Sequence, residues 1–301
     1  MKICVGTRGS KLALTQTKWV ISKLKEKHHD VDFEIKIIKT KGDLIQNVAL
    51  DKIGDKGLFT KEIEDQLLNN EIDMAVHSMK DMPSSLPEGL RFSHTPKRED
   101  VRDILILKEG YKSIDELPKG AKIGTGSKRR KYQLLNNRPD LDIVPIRGNI
   151  DTRVKKIYTE NLDGVVLAAA GISRVSMEIE NSILIPVDVV IPAPAQGALA
   201  IEIRENDEVV DNIIKAIKDD ITEIQVKAER AFLDGISGSC HIPIGAYCYI
   251  NNEELTLIGL YGDEEGKVLI KKQIKGKVGS EKELGYELAD IILKEFENYE
   301  G

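Results

Sequence analysis

Ile72-Asp73-Met74-Ala75-Val76 is a short apolar run that breaks at once into His77-Ser78-Met79-Lys80-Asp81-Met82-Pro83 and then a loop punctuated by Pro87 and Gly89. A run of that length bounded by turn residues reads as a buried strand. The pattern recurs at Ile3-Cys4-Val5 ahead of Thr7-Arg8-Gly9-Ser10, at Lys122-Ile123 ahead of Gly124-Thr125-Gly126-Ser127, and at Gly164 to Ala168 ahead of Ala169 to Arg174. Strands that alternate with helical stretches predict parallel α/β sheets. Such sheets bind ligands beyond the carboxyl ends of their strands. Lys80 and Asp81 therefore bring an ammonium and a carboxylate to a ligand-facing turn. An ordinary surface Lys–Asp pair is the alternative reading of the same two residues.

A chain of 301 residues suggests two or three domains. Its formal charge of −6 gives no overall pull toward nucleic acid or anionic lipid, so an anion site has to be built locally from clustered Arg and Lys. No apolar run approaches the roughly 20 residues that span a bilayer, and the N-terminus turns polar too soon for a signal peptide; a cytoplasmic protein is expected. Cys4, Cys240 and Cys248 are far apart and form no CxxC pair, which argues against a disulfide framework or a zinc site. The five histidines have no metal-ligand spacing either, so no metal is expected.

In chain order, Ser10 is a candidate N-cap for a helix with Ala13, Val20 and Leu24 on its apolar face. Cys4 reads as a small buried hydrophobe. Val31, Phe33, Ile35 and Ile37 alternate as a second strand. Thr40 to Asp43 reads as a loop, and 51–59 as a Gly- and Lys-rich mobile loop. A helix follows with Glu62 and Glu64 in its first turn, where the dipole favours acids, and with Ile63 and Leu67 inward. The charge run Pro96 to Asp103 reads as an interdomain crossover, with a plain solvated loop as the alternative. A second α/β rhythm then starts: Ile104 to Leu107, the helix from Lys128, Asp142 to Ile146, and Gly164 to Ala168. The Pro-rich segment Ile191 to Gly197 is a second crossover, followed by a strand at Leu199 to Ile203 and a charged helix over 208–218. A third unit begins near Ile221, with a helix ending near Gly235, strands at Ala246 to Ile250 and Leu255 to Leu260, and a final helix near Glu281 to Asn298. No internal repeat is visible.

The turns carry the chemistry. Gly124 to Ser127 opens a helix and offers N–H groups to an anion, without the spacing of a nucleotide P-loop. Arg129/Arg130, Arg147 with Arg153, and Arg174 cluster at three strand ends, and guanidinium forks match carboxylates. They point to a substrate bearing several carboxylates. A nucleic-acid patch is the alternative, and the acidic net charge and lack of interleaved aromatics weigh against it. Cys240, among Ser and Gly and next to His241, is either a nucleophile or attachment point or an inert loop thiol. Cys248, in an alternating strand, reads as packed.

Taken together, Gly6 to Leu14, Lys56-Gly57-Leu58-Phe59, His77 to Pro83, Arg98-Glu99-Asp100, Gly124 to Arg130, Arg147-Gly148-Asn149, Gln196-Gly197-Ala198 and Cys240 to Gly245 occur in an order that resembles the porphobilinogen deaminase (hydroxymethylbilane synthase) family. The resemblance covers nearly the whole chain. It implies two type II periplasmic-binding-protein-like α/β domains with the active site in the cleft between them, 1–97 with 197–217 and 98–196, plus a small C-terminal α+β domain, 218–301.

The implied reaction joins four porphobilinogen molecules head to tail, releases ammonia at each step, and frees the linear product by hydrolysis. The implied cofactor is one dipyrromethane bound by thioether to Cys240. Asp81 and Lys80 become the catalytic pair and also cofactor contacts, with Ser127, Arg129, Arg130, Arg147 and Gly148. Arg8, Ser10, Thr125, Arg147, Arg153 and Arg174 become substrate contacts; Lys56 and Phe59 belong to a lid. Gly126, Lys128, Ala195 and His241 depart from the usual motifs without removing a charged group, and Lys128 is expected in solvent. A carboxylate-binding protein on the same scaffold is the alternative, but it needs neither Cys240 nor Asp81. The family also implies a monomer with no nucleic-acid or membrane partner.

Overall fold

The computed structural model describes residues 1–44, 57–236 and 242–300. The expectations for Lys56, Cys240 and His241 lie outside them. Tertiary contacts divide the chain into two compact units, Met1–Glu99 with Gly197–Glu223 and Asp100–Gln196 with Ile224–Gly301.

The first unit is a five-stranded sheet in the order β2-β1-β3-β10-β4, formed by β1 (Lys2–Thr7), β2 (Asp32–Ile37), β3 (Met74–Ser78), β4 (Leu90–Phe92) and β10 (Leu199–Arg204). β1 runs parallel to β2 and β3, while β10 is antiparallel to β3 and β4. Helix α1 (Lys11–Lys25) starts where expected, because the Ser10 hydroxyl accepts a bond from the Ala13 N–H. It buries Val20 and Leu24 with Ile3, Val5, Met74 and Ile201 in one core. The other face holds α3 (Lys61–Leu68), whose Ile63 and Leu67 are fully buried. Thr40 to Asp43, expected as a loop, instead enters a single helical turn, α2 (Lys41–Leu44). Helix α7 (Glu208–Ile214) follows β10 and passes into a short 3-10 turn.

The second unit carries two sheets. One is ordered β7-β6-β8-β5-β9, from β5 (Asp103–Leu107), β6 (Lys122–Gly124), β7 (Asp142–Val144), β8 (Gly164–Ala168) and β9 (Ser182–Ile185). Its β6 is parallel to β7 and β8, and its β5 is antiparallel to β8 and β9. This repeats the layout of the first sheet: three parallel strands, then an antiparallel strand entered directly from a crossover. The sequence showed no repeat because each strand holds only its apolar character in common. Helices α4 (Lys128–Asn137), α5 (Ile150–Thr159) and α6 (Ala169–Arg174) connect the strands.

The other sheet is an antiparallel meander of β11 (Gly245–Asn251), β12 (Glu254–Gly262) and β13 (Leu269–Lys277), packed with α8 (Asp220–Gly235) and α9 (Glu281–Glu300). Phe232, Leu257, Leu288 and Ile292 form its core. Within this unit the Glu229 carboxylate accepts the Ala195 N–H at 2.6 Å and the Cys248 N–H at 2.9 Å, with both partners and Glu229 buried. The architecture is thus mixed α/β with a small α+β part at the C-terminus.

Candidate active site

In the first unit the candidate residues gather at the carboxyl ends of adjacent parallel strands. β1 ends at Thr7, and Arg8 and Ser10 follow; β3 ends at Ser78, and Lys80 and Asp81 follow in a 3-10 turn, Met79–Asp81. Buried Met79 and Met82 pin this turn. The Met79 N–H donates to the Ala198 carbonyl at 3.1 Å and the Met82 N–H to Met79 at 3.1 Å. Lys80 is left half-buried and Asp81 exposed. Gln16 of α1 donates to the Ser78 hydroxyl at 2.8 Å, tying the two strand ends together.

Arg8 is half-buried. Its Nε and Nη2 grip Asp43 at 3.1 and 2.5 Å, and its guanidinium lies 4.3 Å from the centre of the Phe59 ring. Burial pushes the Asp43 carboxyl up, but bonds from Arg8 and Thr40 outweigh it and hold the group below its usual range. Asp43 was not foreseen as a partner. Phe59, expected in a lid, packs against Gly42 and Arg8.

His77 differs from the sequence reading. It lies within β3, not in the turn, and is buried, with Nε2 3.1 Å from the fully buried Glu202 of β10. Glu64, in the first turn of α3 as expected, is only 6% exposed. Burial raises its pKa, with the Glu202 charge adding to the rise and His77 opposing it. A carboxyl raised in the folded state stabilises fully below its ordinary value of about 4.5, and that stability is lost as pH rises through the folded value. Glu64→Gln is therefore expected to melt higher than the unsubstituted chain at pH 7 to 8, with the gap shrinking toward pH 4. Melting curves across that range check this; parallel curves would contradict it.

In the second unit, β7, β6 and β8 are parallel neighbours, and their carboxyl ends carry the remaining candidates among the described residues. After β6, Thr125 is buried and its hydroxyl accepts the Ser127 N–H at 3.3 Å. Ser127 caps α4, accepting the Arg130 N–H at 3.4 Å. Gly126 is required here, since a Cβ would stand 2.8 Å from the Ile146 carbonyl. After β7, Arg147 is half-buried, and Gly148 has φ +113°, a conformation that favours glycine. Arg153 of α5 reaches back to donate to the Gly148 carbonyl at 2.7 Å. Arg174 ends α6, after β8, and is half-buried. Lys128 is not free in solvent: it lies 3.5 Å from Glu264.

Arg129 and Arg130, read as forks that match carboxylates, are both buried and share Asp103, which is wholly inaccessible at the start of β5. Arg129 Nη1 donates to Asp103 Oδ2 at 2.8 Å and to the Ile191 carbonyl at 2.6 Å. Arg130 Nε and Nη2 donate to Asp103 Oδ1 at 3.1 and 2.8 Å, and its Nη1 to the Val166 carbonyl at 3.0 Å. Gln196 Nε2 adds a bond to Oδ1 at 2.9 Å. Burial drives the Asp103 carboxyl up, yet the two guanidiniums overcome this and hold it far below the usual range. The sequence reading placed Asp103 at the end of a charge run taken as an interdomain crossover and did not foresee its burial. The missed signal is an acid that opens the all-apolar strand Ile104 to Leu107, where a charge has to be paired.

Two buried guanidiniums against one carboxylate leave a single surplus positive charge at the mouth of α4. A ligand carboxylate answers that surplus. The described residues around Asp103 therefore fit a ligand that bears a carboxylate.

The comparisons with known proteins show the family. The family profile "Porphobilinogen deaminase, dipyromethane cofactor binding domain" matches residues 3–212, and "Porphobilinogen deaminase, C-terminal domain" matches residues 223–294. The chain belongs to the porphobilinogen deaminase family. Porphobilinogen deaminase of Clostridioides difficile is 65% identical over 301 residues, which is 100% of both chains. That of Brevibacillus brevis is 50% identical over 290 residues, 96% of this chain and 93% of its own. Among solved structures, the periplasmic binding protein STM4351 of Salmonella typhimurium shares 14% identity at a TM-score of 0.42, over 74% of this chain and 93% of its own. As a porphobilinogen deaminase, the chain is a transferase with hydroxymethylbilane synthase function and a dipyrromethane cofactor. Among the described residues no helix is long and apolar enough to cross a membrane.

Proposed function

We propose that this chain joins porphobilinogen units stepwise, four in all, with Asp81 and Lys80 acting at the reacting centre and the arginines holding acidic arms. In this reading it is a three-domain, cytoplasmic monomer, divided as 1–97 with 197–217, 98–196 and 218–301. Dipyrromethane, when bound through Cys240, supplies the primer that the new units extend. The observation that carries the reading is the surplus positive charge of the Arg129–Asp103–Arg130 cluster at the end of β6. A substrate with acetate and propionate arms is what such a cluster selects.

The residues divide the work by charge. Asp81 accepts the pyrrole N–H and faces the cation that develops as the carbon–nitrogen bond breaks and ammonia departs. Two unit charges about 4 Å apart attract by about 1 kcal/mol in water and about 4 at an effective dielectric of 20. Asp81 is exposed, so the bound pyrroles themselves must displace water for the carboxylate to act strongly. Lys80 beside it balances an acidic arm. Arg8, Ser10, Thr125, Ser127, Arg147, Gly148, Arg153 and Arg174 complete the contacts to arms. With purified protein and porphobilinogen, the expected stoichiometry is four ammonia molecules per linear tetrapyrrole released. Binding of porphobilinogen with no ammonia released would overturn the reading in favour of a carboxylate-binding protein.

A further inference from the structure

Arg129 and Arg130 each carry five N–H donors. Within the described residues, Arg129 commits two of them, both on Nη1, and Arg130 commits three, one on each nitrogen. The Nε–Nη2 edge of Arg129 makes no hydrogen bond to a described residue. That edge is the half of a guanidinium that grips a carboxylate with two parallel bonds. Asp103 decides which edge is left. Its Oδ2 takes Arg129 Nη1, and its Oδ1 gathers Arg130 Nε, Arg130 Nη2 and Gln196 Nε2. Arg129 and Arg130 expose only 6% and 7% of their side chains and Asp103 none, so the three charged groups face one another rather than bulk solvent.

We propose that Asp103 is a positioning residue for carboxylate recognition: it locks both guanidiniums in one orientation, cancels one of their two charges, and leaves the Nε–Nη2 edge of Arg129 and one positive charge for an acidic arm. It touches no arm itself. Without it, two buried like charges repel and the free edge is no longer held. This inference rests on the proposed function, because the arm is taken to belong to dipyrromethane or porphobilinogen.

Asp103→Asn keeps the shape and removes the charge; Asp103→Glu keeps the charge and displaces it by one methylene. Three readouts separate positioning from bulk stability: the fraction carrying the cofactor by intact mass, KM and kcat for porphobilinogen on the loaded fraction, and the melting temperature. The expected result is a folded protein with either loading below a tenth of wild type or KM raised at least tenfold, and kcat within threefold on whatever loads. In an Arg129→Gln background, Asp103→Asn is expected to add less than threefold to KM or to the loading defect.

Wild-type loading and KM in either folded variant overturn the inference, as does full additivity with Arg129→Gln. Failure of both variants to fold also overturns it, marking Asp103 as a structural anchor. The wild-type control keeps the two claims apart: a wild type that neither carries the adduct nor consumes porphobilinogen refutes the function, whereas a normal wild type with normal variants refutes only the role of Asp103.

Discussion

Asp81→Asn is expected to lower kcat by about 100-fold or more while leaving the fold unchanged. The 3-10 turn that presents Asp81 is held by the buried side chains of Met79 and Met82 and by backbone bonds, none of which involves the carboxylate. Asn keeps the size and one carbonyl oxygen, so it still accepts a pyrrole N–H. What it loses is the negative charge, and the proposed step needs that charge as ammonia leaves and a cation forms. The effect should therefore appear in kcat far more than in KM. Steady-state kinetics with a melting curve on the same sample check this. Turnover near wild type in a folded variant would remove Asp81 from the reacting centre.

Cys240→Ser is expected to abolish turnover altogether. A hydroxyl is a far weaker nucleophile than a thiolate and does not form the thioether that tethers the primer. Cys240 lies outside the described residues, but the elements on either side of it are firmly set. α8 is anchored through buried Glu229 to Ala195 and Cys248, and β11 pairs with β12 along its length. The substitution should thus leave the chain folded, with the melting temperature lowered only by the contacts the absent cofactor would have made. Consumption of porphobilinogen by the purified variant checks this, and a variant with more than a few per cent of wild-type turnover would contradict it.

The strand–turn–helix rhythm was legible because apolar runs such as Gly164 to Ala168 are bounded by sharp polarity changes, and burial fixes such runs whatever their partners. The strand ends that carry Arg8, Lys80, Asp81, Thr125, Arg147 and Arg174 followed from the same rhythm. Partnerships across the chain were not legible. Asp103 meets arginines 26 and 27 residues away, and His77 meets Glu202 at a separation of 125. Local sequence can hint that such a charge is buried, as the apolar strand after Asp103 does, but it does not name the distant partner. Glu64 shows the cost of a local rule: the dipole argument placed it in the first turn correctly, and tertiary packing turned it inward. Short strands such as Leu90–Phe92 and Ser182–Ile185 were missed because three or four residues carry too little pattern without the neighbours they pair with.

The most direct test of the central claim is the intact mass of the purified chain beside its Cys240→Ser variant. The account predicts an added mass of two linked pyrrole units on the wild type and none on the variant, with the same addition appearing on any unloaded wild type after incubation with porphobilinogen. A wild type that stays unmodified after that incubation would contradict it.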